Sequence, residues 1–391
     1  MFAFRIAADL APNRLTEVLR LRQAAGDRVI DLTESNPTRV GLDYPTDLLA
    51  PLGDCRGLNY EPEPFGLLEA RHAVASDYRR RGIAMHPDRV ALTASTSEAY
   101  SLLFKLLAEP GDEILVPRPS YPLFEHLTGL DGLVARPYDL EYNGVWSIDF
   151  ASVDHALGPR TRACLLVNPN NPTGSLVSQD ELDRLAGLCA AREVALIADE
   201  VFADYDLEPG AAGRAAPALT RDDVLVFGLG GLSKSIGLPQ LKLGWIATAG
   251  PGPLVDAALR RLEVICDTYL SVSTPVQLAA AGLFERGAAI RAQISARILA
   301  NYRQLKALAA GVPACGVLRA AGGWSAVVQV PTLGSEEDLV VDLVSQAGVL
   351  THPGYFFDFP RESFVILSLL PPEPMFADGV ERLLTWVGDA A

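Results

Sequence analysis

Six short apolar runs, rich in valine, isoleucine and leucine, alternate with longer stretches of helical periodicity, and this alternation constrains the fold more than any other feature. The runs are RVALTAS, DEILVPRPS, ACLLVNPN, ALIADEVF, DVLVFGLGG and KLGWIAT. Apolar runs without polar alternation are typical of strands that are buried on both faces of a parallel sheet covered by helices. The sequence therefore predicts an α/β fold with a mostly parallel sheet.

Helical patterns and a change of composition divide the chain. Helices are predicted from Ser97 to Leu107 and from Ser178 to Glu193, between the apolar runs. A long helical pattern without strand signals runs from Pro275 to about Ala310. Beyond it, GWSAVVQVP and SFVILSLL indicate strands, and EEDLVVDLVSQAG and the last residues indicate helices. We therefore expect an α/β domain at about 46–275, a connecting helix at 276–310 and a small α+β domain at 311–391.

The overall charge argues against a role on nucleic acid or membranes. The formal net charge is −15 and the sequence pI is near 4.8, which disfavours attraction to phosphate backbones or anionic lipid. The main basic cluster is Arg79 to Arg81, which we interpret as a solvated helix end.

Cysteine usage and the distribution of apolar residues indicate the cell compartment. The five cysteines are scattered, odd in number and without a CxxC pair, which predicts free thiols in a reducing compartment and no metal. The first residues lack the apolar core of a secretory signal. No apolar run reaches the roughly 20 residues that span a bilayer. We expect a cytoplasmic protein.

Three polar side chains at the ends of apolar runs suggest a common site. Lys234 follows DVLVFGLGG, Asp199 ends ALIAD, and Asn171 follows ACLLV. The carboxyl ends of parallel strands meet at one sheet edge, where ligands bind. Pyridoxal phosphate needs an amine for its aldehyde, an acid opposite its ring nitrogen, and donors for its phenolate and phosphate oxygens. The three residues therefore predict a pyridoxal-phosphate site.

Each of these residues also has a plainer interpretation. Lys234 could be a surface lysine, Asp199 a helix cap or a solvated strand end, and NPNNPTG a simple turn. Their combination and the repeated Asn-Pro directly after a buried strand favour the site. Because an X-Pro bond adopts the cis form at modest cost, Asn171-Pro172 is a candidate cis peptide that aims the asparagine.

Two further segments fit the same site. Ser95, Thr96 and Ser97 stand between a predicted strand and a predicted helix, so they form either a simple N-cap or, with the exposed amides, a phosphate site. Tyr121, in RPSYPLF, either packs in the core or stacks on a flat cofactor.

In their order and content, these motifs resemble the class I/II aminotransferases of the fold type I pyridoxal-phosphate family. The resemblance runs from about DLTESNPT to the end of the chain. The matching segments are TASTSEA for phosphate, PRPSYPLF with Tyr121 for ring stacking, NPNNPTG with Asn171, ADEVF with Asp199, and SKSIGLPQLKLG with Ser233, Lys234 and Lys242. LNYEPEPFGLLEAR resembles the segment in which Tyr60 reaches the neighbouring subunit's cofactor phosphate.

The resemblance implies an architecture and a mechanism. It implies a large cofactor domain with a mostly parallel seven-stranded sheet, a small domain to which segment 1–45 contributes, and a homodimer with shared active sites. It also implies that an amino donor displaces Lys234 from its imine with the cofactor. Lys234 then moves a proton between the substrate and the cofactor, and a 2-oxo acid is released.

The cofactor motifs depart from the family pattern at three positions. Phe202 stands where a tyrosine is common, so one hydroxyl to the phenolate is missing and the imine pKa is predicted to be raised. Lys242 stands where an arginine usually holds the phosphate. A lysine ammonium is a point charge, whereas an arginine guanidinium donates two parallel hydrogen bonds. Gly231 replaces a serine. We expect that the protein binds the cofactor phosphate more weakly, or that residues outside these motifs supply the missing contacts.

A fourth departure concerns the substrate. In SFVILSLL, Ile366 occupies the position at which the family carries an arginine that pairs with the substrate α-carboxylate. Either another cation takes over, with Arg39 first and Arg319 or Arg361 behind it, or the substrate lacks a carboxylate there. The alternative interpretation of Arg39 is that it is a surface arginine after a turn and does not bind the substrate.

The sequence thus predicts a cytoplasmic, homodimeric aminotransferase that moves an amino group from an amino donor, expected to be an α-amino acid, to a 2-oxo acid. A β-lyase on the same scaffold is the alternative, because these motifs do not separate transfer from elimination. A cofactor-sensing regulator is disfavoured, since the resemblance begins near residue 31 and leaves little room for a DNA-binding domain. A dead scaffold is disfavoured because Lys234, Asp199 and Asn171 are retained.

Overall fold

The computed structural model describes residues 3, 5–6, 11–209, 215–332, 334–361 and 363–390. The strands within them are β1 (Ile30–Asp31), β2 (Val90–Thr93), β3 (Glu113–Arg118), β4 (Val134–Tyr142), β5 (Trp146–Ile148), β6 (Thr161–Val167), β7 (Ala195–Asp199), β8 (Val226–Gly231), β9 (Gly244–Ala249), β10 (Gly316–Val317), β11 (Ser325–Gln329), β12 (Val349–Leu350), β13 (His352–Pro353) and β14 (Phe364–Ser368). The α-helices are α1 (Arg14–Ala24), α2 (Leu68–Arg80), α3 (Thr96–Leu107), α4 (Leu123–Leu130), α5 (Phe150–Ala156), α6 (Gln179–Ala191), α7 (Leu232–Ser235), α8 (Gly252–Tyr269), α9 (Thr274–Ala309), α10 (Glu336–Asp342) and α11 (Glu373–Ala390).

A large mixed sheet forms the centre of the molecule. Its strand order is β2-β9-β8-β7-β6-β3-β4-β5. Strands β8, β7, β6, β3 and β4 are parallel to their neighbours in this run, whereas β9 is antiparallel to both β2 and β8. Every residue of β2, β7, β8 and β9 is buried. The prediction of doubly buried strands in a mostly parallel sheet is therefore confirmed for the sheet's centre.

The sheet has eight strands within the described residues, one more than expected. The additional strand, β5, is three residues long and pairs antiparallel with β4 at the sheet's edge. It carries too few residues to show a periodic pattern, which is why the sequence did not indicate it.

Glycines in β8 make room for large neighbours. A Cβ added at Gly230 would lie 2.6 Å from the ring of Trp245 on the adjacent strand β9. The Trp245 indole is itself buried and donates to the Tyr78 hydroxyl at 3.1 Å. The run GLGG therefore reflects close packing as well as strand formation.

A second, four-stranded sheet has the order β10-β11-β14-β13 and is antiparallel throughout. Helix α9 is 36 residues long and corresponds to the predicted connecting helix. Along the chain it lies between the last strand of the large sheet and the first strand of the four-stranded sheet. Near the N-terminus, β1 pairs in parallel with β12. This pairing supports our proposal that segment 1–45 belongs with the C-terminal unit 311–391, with 46–275 as the cofactor domain and 276–310 as the connection.

The interpretation of Arg79 to Arg81 as a solvated helix end is wrong for Arg81, whereas Arg79 and Arg80 are exposed at the end of α2. Arg81 lies 2.6 Å from the buried carboxylate of Glu200, and Arg80 bridges Asp77 and Asp204. These acids lie inside the fold, so the end of α2 is held by ion pairs. The sequence could not show this because Glu200 and Asp204 are more than 100 residues away.

Candidate active site

Strand direction brings the predicted site residues to one edge of the large sheet. Strands β3, β6, β7 and β8 run in parallel, and β2 runs the same way because both β2 and β8 are antiparallel to β9. Their carboxyl ends therefore face one crevice. The residues that end or follow these strands there are Ser95, Thr96, Ser97, Tyr121, Asn171, Asp199, Ser233 and Lys234.

Lys234 lies in α7, a single helical turn that directly follows β8. Its Nζ is 5.0 Å from the ring centroid of Trp324 and 5.8 Å from that of Phe202. Burial among these groups lowers the pKa of the Lys234 amine, and the negative charge of Asp199 opposes that shift. The Tyr205 hydroxyl donates to the Lys234 carbonyl at 2.5 Å and so fixes the backbone of the turn.

Asp199 is the last residue of β7 and is only 8 % exposed, so it is not a solvated strand end. Its Oδ2 accepts a hydrogen bond from the Tyr100 hydroxyl at 2.7 Å, and its Oδ1 accepts one from the Val201 N–H at 3.1 Å. Burial raises the pKa of Asp199, while these two hydrogen bonds and the charge of Lys234 act in the opposite direction. The carboxylate is thus held in one orientation by groups on two elements.

Asn171 lies in a loop whose shape is fixed by proline and by hydrogen bonds. The Asn171-Pro172 bond is cis, as predicted. The Ser325 hydroxyl donates to Asn171 Oδ1 at 3.2 Å, which engages the amide oxygen and leaves the Nδ2 hydrogens to donate to a ligand. The preceding Asn170 is buried and accepts from the Ser120 hydroxyl at 2.9 Å, so the loop is tied to the end of β3.

The loop after β2 forms an N-cap close to Gly231 at the end of β8. Ser95 caps α3, its Oγ accepting from the Glu98 N–H at 3.1 Å. A Cβ added at Gly231 would lie 3.3 Å from the Leu243 carbonyl oxygen and 4.0 Å from Thr96 Cγ2. The end of β8 therefore approaches the start of α3 closely enough for both to contact one small anion. Helix N-terminal amides and hydroxyls at such a point favour phosphate.

Comparison with known proteins agrees with this geometry. The model of the family described as aminotransferase class I and II matches residues 26–373. The chain belongs to the class I and II aminotransferase family. It is 26% identical to alanine aminotransferase of Mycobacterium bovis, over 92% of this chain and 86% of that protein. It is 25% identical to glutamate-pyruvate aminotransferase AlaA of Haemophilus influenzae, over 95% and 94% of the two chains.

A solved structure shows the same fold. Alanine aminotransferase from Pyrococcus furiosus superposes with a TM-score of 0.86 and 26% identity, and the match covers 100% of both chains. Family membership and this similarity confirm the predicted aminotransferase and its fold type I architecture.

Around Ile366, where the family resemblance implies a carboxylate-binding arginine, the structure has an apolar cluster. Ile366 is 2 % exposed and packs with Val327, Phe357 and neighbouring aromatic residues. Val327 pairs with Ile366 across β11 and β14, and Ser325, two residues before Val327, contacts Asn171. Ile366 therefore lies on the sheet face that is turned toward the Asn171 loop. The Ile366 side chain has no hydrogen-bond donor that could meet a carboxylate.

The three arginines considered as replacements differ in their surroundings. Arg319 is committed to Glu208 through a two-pronged ion pair with distances of 2.7 and 3.0 Å. Arg361 stacks on the Phe364 ring at 5.5 Å. Arg39 is exposed in a 3₁₀ turn, and within the described part of the chain no ion pair to it is found. Of the three, Arg319 is therefore the one whose guanidinium is already paired.

The remaining predicted residues are more exposed. The Tyr121 ring is 40 % exposed and is not packed in the core, which leaves a face for a flat ligand. Tyr60 is 73 % exposed and lines a surface groove with Gln277 and Leu270. Lys242 is exposed in a left-handed conformation just before β9. Among the described residues, no group of histidine, cysteine and acidic side chains could hold a metal ion.

Sequence reasoning missed three aromatic residues in the site. Tyr100 contacts Asp199, Tyr205 fixes the backbone at Lys234, and the Trp324 ring lies beside the Lys234 amine. The buried Trp324 Nε1 also has no hydrogen-bond partner among the described groups. Only Tyr205 gave a signal in the sequence, since it stands six residues after Asp199 in the same segment. Tyr100 and Trp324 follow ordinary helix and strand patterns.

Proposed function

We propose that the chain is a pyridoxal-phosphate-dependent aminotransferase that transfers an amino group from an α-amino acid to a 2-oxo acid. The observation that carries the proposal is the convergence of Lys234, Asp199 and Asn171 on one sheet edge beside the start of α3. Two observations support the fit of such a group: a Cβ at Gly231 would crowd the Leu243 carbonyl, so the glycine keeps this point of the site free of a side chain, and the buried Trp324 Nε1 has no partner among the described groups. When bound, the cofactor supplies an aldehyde for amines and an electron-withdrawing ring.

Lys234 has the chemistry for covalent attachment and proton transfer. An amine reacts when it is unprotonated, and burial shifts the Lys234 pKa in the direction that favours this form at neutral pH. Once a substrate amine has displaced it, the same Nζ can remove and return a proton at the substrate α-carbon. Tyr205 and the Phe202 and Trp324 rings restrict where the amine can move.

The other residues orient the cofactor. Asp199 would pair with the ring nitrogen, and the Asn171 Nδ2 hydrogens would donate to the phenolate oxygen. Tyr121 would stack on the ring. The residues proposed to bind the phosphate are Ser95, Thr96, Ser97, Ser233 and Lys242. A second subunit would contribute Tyr60 to the same phosphate. Phe202 has no hydroxyl, so it would leave the phenolate oxygen with one hydrogen-bond donor fewer.

For the substrate carboxylate we propose Arg39, because Ile366 is apolar and Arg319 is paired. Arg39→Ala is expected to raise the KM for carboxylate-bearing donors about tenfold or more, as loss of a charge-assisted hydrogen bond would. The matched control is Arg20→Ala, which removes an exposed arginine on α1 that is not among the candidates. An unchanged KM for every accepted amino acid would remove Arg39 from the site, and a donor panel that includes amines without carboxylates would then define the substrate.

The reaction type is tested with the donor alone. Alanine and glutamate come first in the panel because the similar proteins are named for alanine and for glutamate and pyruvate. Conversion of the bound cofactor to pyridoxamine phosphate, with release of the 2-oxo acid, is the expected result. Pyruvate and ammonia from cystathionine, without that conversion, would instead identify a β-lyase.

We also propose a homodimer in the cytoplasm. The strong exposure of Tyr60 in one chain suits a residue that a second subunit covers. All five cysteines are free thiols, which suits a reducing compartment. In the described part of the chain, no helix has the length and apolar character needed to cross a membrane. Sedimentation equilibrium should give twice the 41.8 kDa chain mass.

A further inference from the structure

The Tyr100 hydroxyl donates a side-chain hydrogen bond to the Asp199 carboxylate. Tyr100 lies on α3, is 3 % exposed, and donates to Asp199 Oδ2 at 2.7 Å. The second carboxylate oxygen, Oδ1, accepts from the Val201 N–H. Each oxygen therefore has one donor from the protein, and the lone pairs that remain are available to a ligand in the crevice.

The Tyr100 hydroxyl is fixed as a donor. Burial and the nearby charge of Asp199 raise its pKa well above the ordinary value of 10, so the group stays a phenol at any physiological pH. Its ring is held edge-on to Phe124 with centroids 5.4 Å apart, and it also contacts Phe104 at 6.0 Å. A ring held on two sides directs its O–H to a single acceptor.

Helix α3 connects this contact with the proposed phosphate site. Tyr100 follows Thr96 by four residues, so the two side chains lie on the same face of the helix. The first turn of α3 carries residues that would hold the phosphate, and Tyr100 in the next turn donates to the carboxylate that would meet the ring nitrogen. One helix would therefore position residues at both ends of the cofactor.

We propose that Tyr100 is a positioning residue that keeps Asp199 ionised against the ring nitrogen of the cofactor. The inference rests on the proposed function and deepens it. Burial favours the neutral form of an acid, whereas a hydrogen bond donated to the carboxylate favours the charged form. Without the Tyr100 donor, the proton that Asp199 and the ring nitrogen share would move from the ring nitrogen to an Asp199 oxygen. The ring would then withdraw electrons less strongly.

The test compares Tyr100→Phe with Tyr138→Phe. Tyr138 is also fully buried, and its hydroxyl donates to the Leu165 carbonyl at 2.8 Å, so the control loses a buried hydroxyl without touching a carboxylate. Each protein is saturated with pyridoxal phosphate labelled with ¹⁵N at the ring nitrogen, and its ¹⁵N chemical shift is recorded by solid-state NMR. The half-reaction rate with a donor is measured in parallel.

Wild type and Tyr138→Phe are expected to show a pyridinium nitrogen, and Tyr100→Phe a shift toward neutral pyridine. The half-reaction of Tyr100→Phe should slow at least about tenfold, as loss of a hydrogen bond to a charged group would. Tyr100→His, which keeps an N–H donor, should restore part of the pyridinium shift. An unchanged ¹⁵N shift in Tyr100→Phe would overturn the inference. Failure of wild type to bind the labelled cofactor would instead overturn the proposed function.

Discussion

At the scale of single residues, the chemistry depends on two buried ionisable groups that influence each other. Burial lowers the pKa of Lys234 and raises that of Asp199, so each is driven toward its neutral form, while the opposite charge of the other resists this. In the ligand-free protein both groups carry a desolvation cost. The desolvation cost lowers the free energy of unfolding of the ligand-free protein, although the same two groups are needed for function. The cost can be measured from the way the free energy of unfolding changes with pH.

Replacing Lys234 by methionine should stabilise the ligand-free protein at neutral pH. The unfolded chain keeps the lysine proton up to about pH 10.5, whereas the folded protein releases it at lower pH. Between these values the unfolded state binds more protons, so wild-type stability rises with pH through the window. The advantage of Lys234→Met should therefore shrink as pH rises toward 10.5, as followed by urea unfolding.

The matched control is Lys242→Met, which removes an exposed amine that carries no burial cost. A Lys234→Met advantage that stays constant with pH would show that the amine is not desolvated in the folded protein.

Phe202→Tyr tests the missing hydroxyl. The ring of Phe202 is buried against Trp324 with centroids 5.4 Å apart, and the Lys234 amine lies beside it. A hydroxyl donated to the cofactor's phenolate should lower the pKa of the imine formed with Lys234. Spectrophotometric titration of wild type and variant reports this value, and the absence of a downward shift would refute the assignment.

At the scale of helices and strands, the apolar pattern predicted most of what is buried. Helix α9 (Thr274–Ala309) begins and ends within one residue of the predicted stretch. The predicted helix at Ser178 forms as α6, with Ser178 as its N-cap in a capping box with Glu181. These elements were visible because local periodicity and capping chemistry agree.

Elements with mixed exposure were not visible in the sequence. Strand β4 (VARPYDLEY) is mostly half-buried or exposed, and it contains Pro137, so it lacks the pattern of a buried strand. The contact between Tyr100 and Asp199 joins residues 99 positions apart. Such long-range contacts depend on strand order, and apolar periodicity does not specify which strands are neighbours.

Two glycine substitutions should have opposite effects on stability. Gly230→Ala places a Cβ 2.6 Å from the buried Trp245 ring, so it should cost about 1–3 kcal/mol. Gly187→Ala lies in the exposed interior of α6 with no atom within 4 Å, and it should add about 0.5–1 kcal/mol because alanine loses less backbone entropy. Urea unfolding of both variants measures the two changes, and changes of the same sign would contradict this packing.

At the scale of the whole molecule, buried ion pairs join the catalytic turn to distant helices. Arg291 on α9 donates to the Ser235 carbonyl at 2.8 Å, one residue after Lys234. It also lies 3.3 Å from both Asp77 on α2 and Asp204 in the loop after β7. Arg80 contacts the same two acids. The network therefore fixes the position of the Lys234 turn relative to the surrounding helices.

Removing one cation from this network should destabilise the protein. Arg291→Met leaves two largely buried acids with Arg80 as their remaining ion-pair partner among the described residues, so the free energy of unfolding should fall by roughly 2 kcal/mol or more. The control is Arg382→Met, which breaks the exposed pair with Asp378 and should cost about 0.5 kcal/mol or less. Equal losses in the two variants would show that the buried network makes no special contribution.

The proposed chemistry depends on a covalent bond between Lys234 and pyridoxal phosphate. Reduction of the cofactor-loaded protein with borohydride, followed by protease digestion and mass mapping of the labelled peptide, locates this bond. We expect one adduct per chain, on the Lys234 side chain, and none on the exposed Lys242 nearby in sequence. An adduct on any other residue, or no adduct at all, would contradict the proposed chemistry.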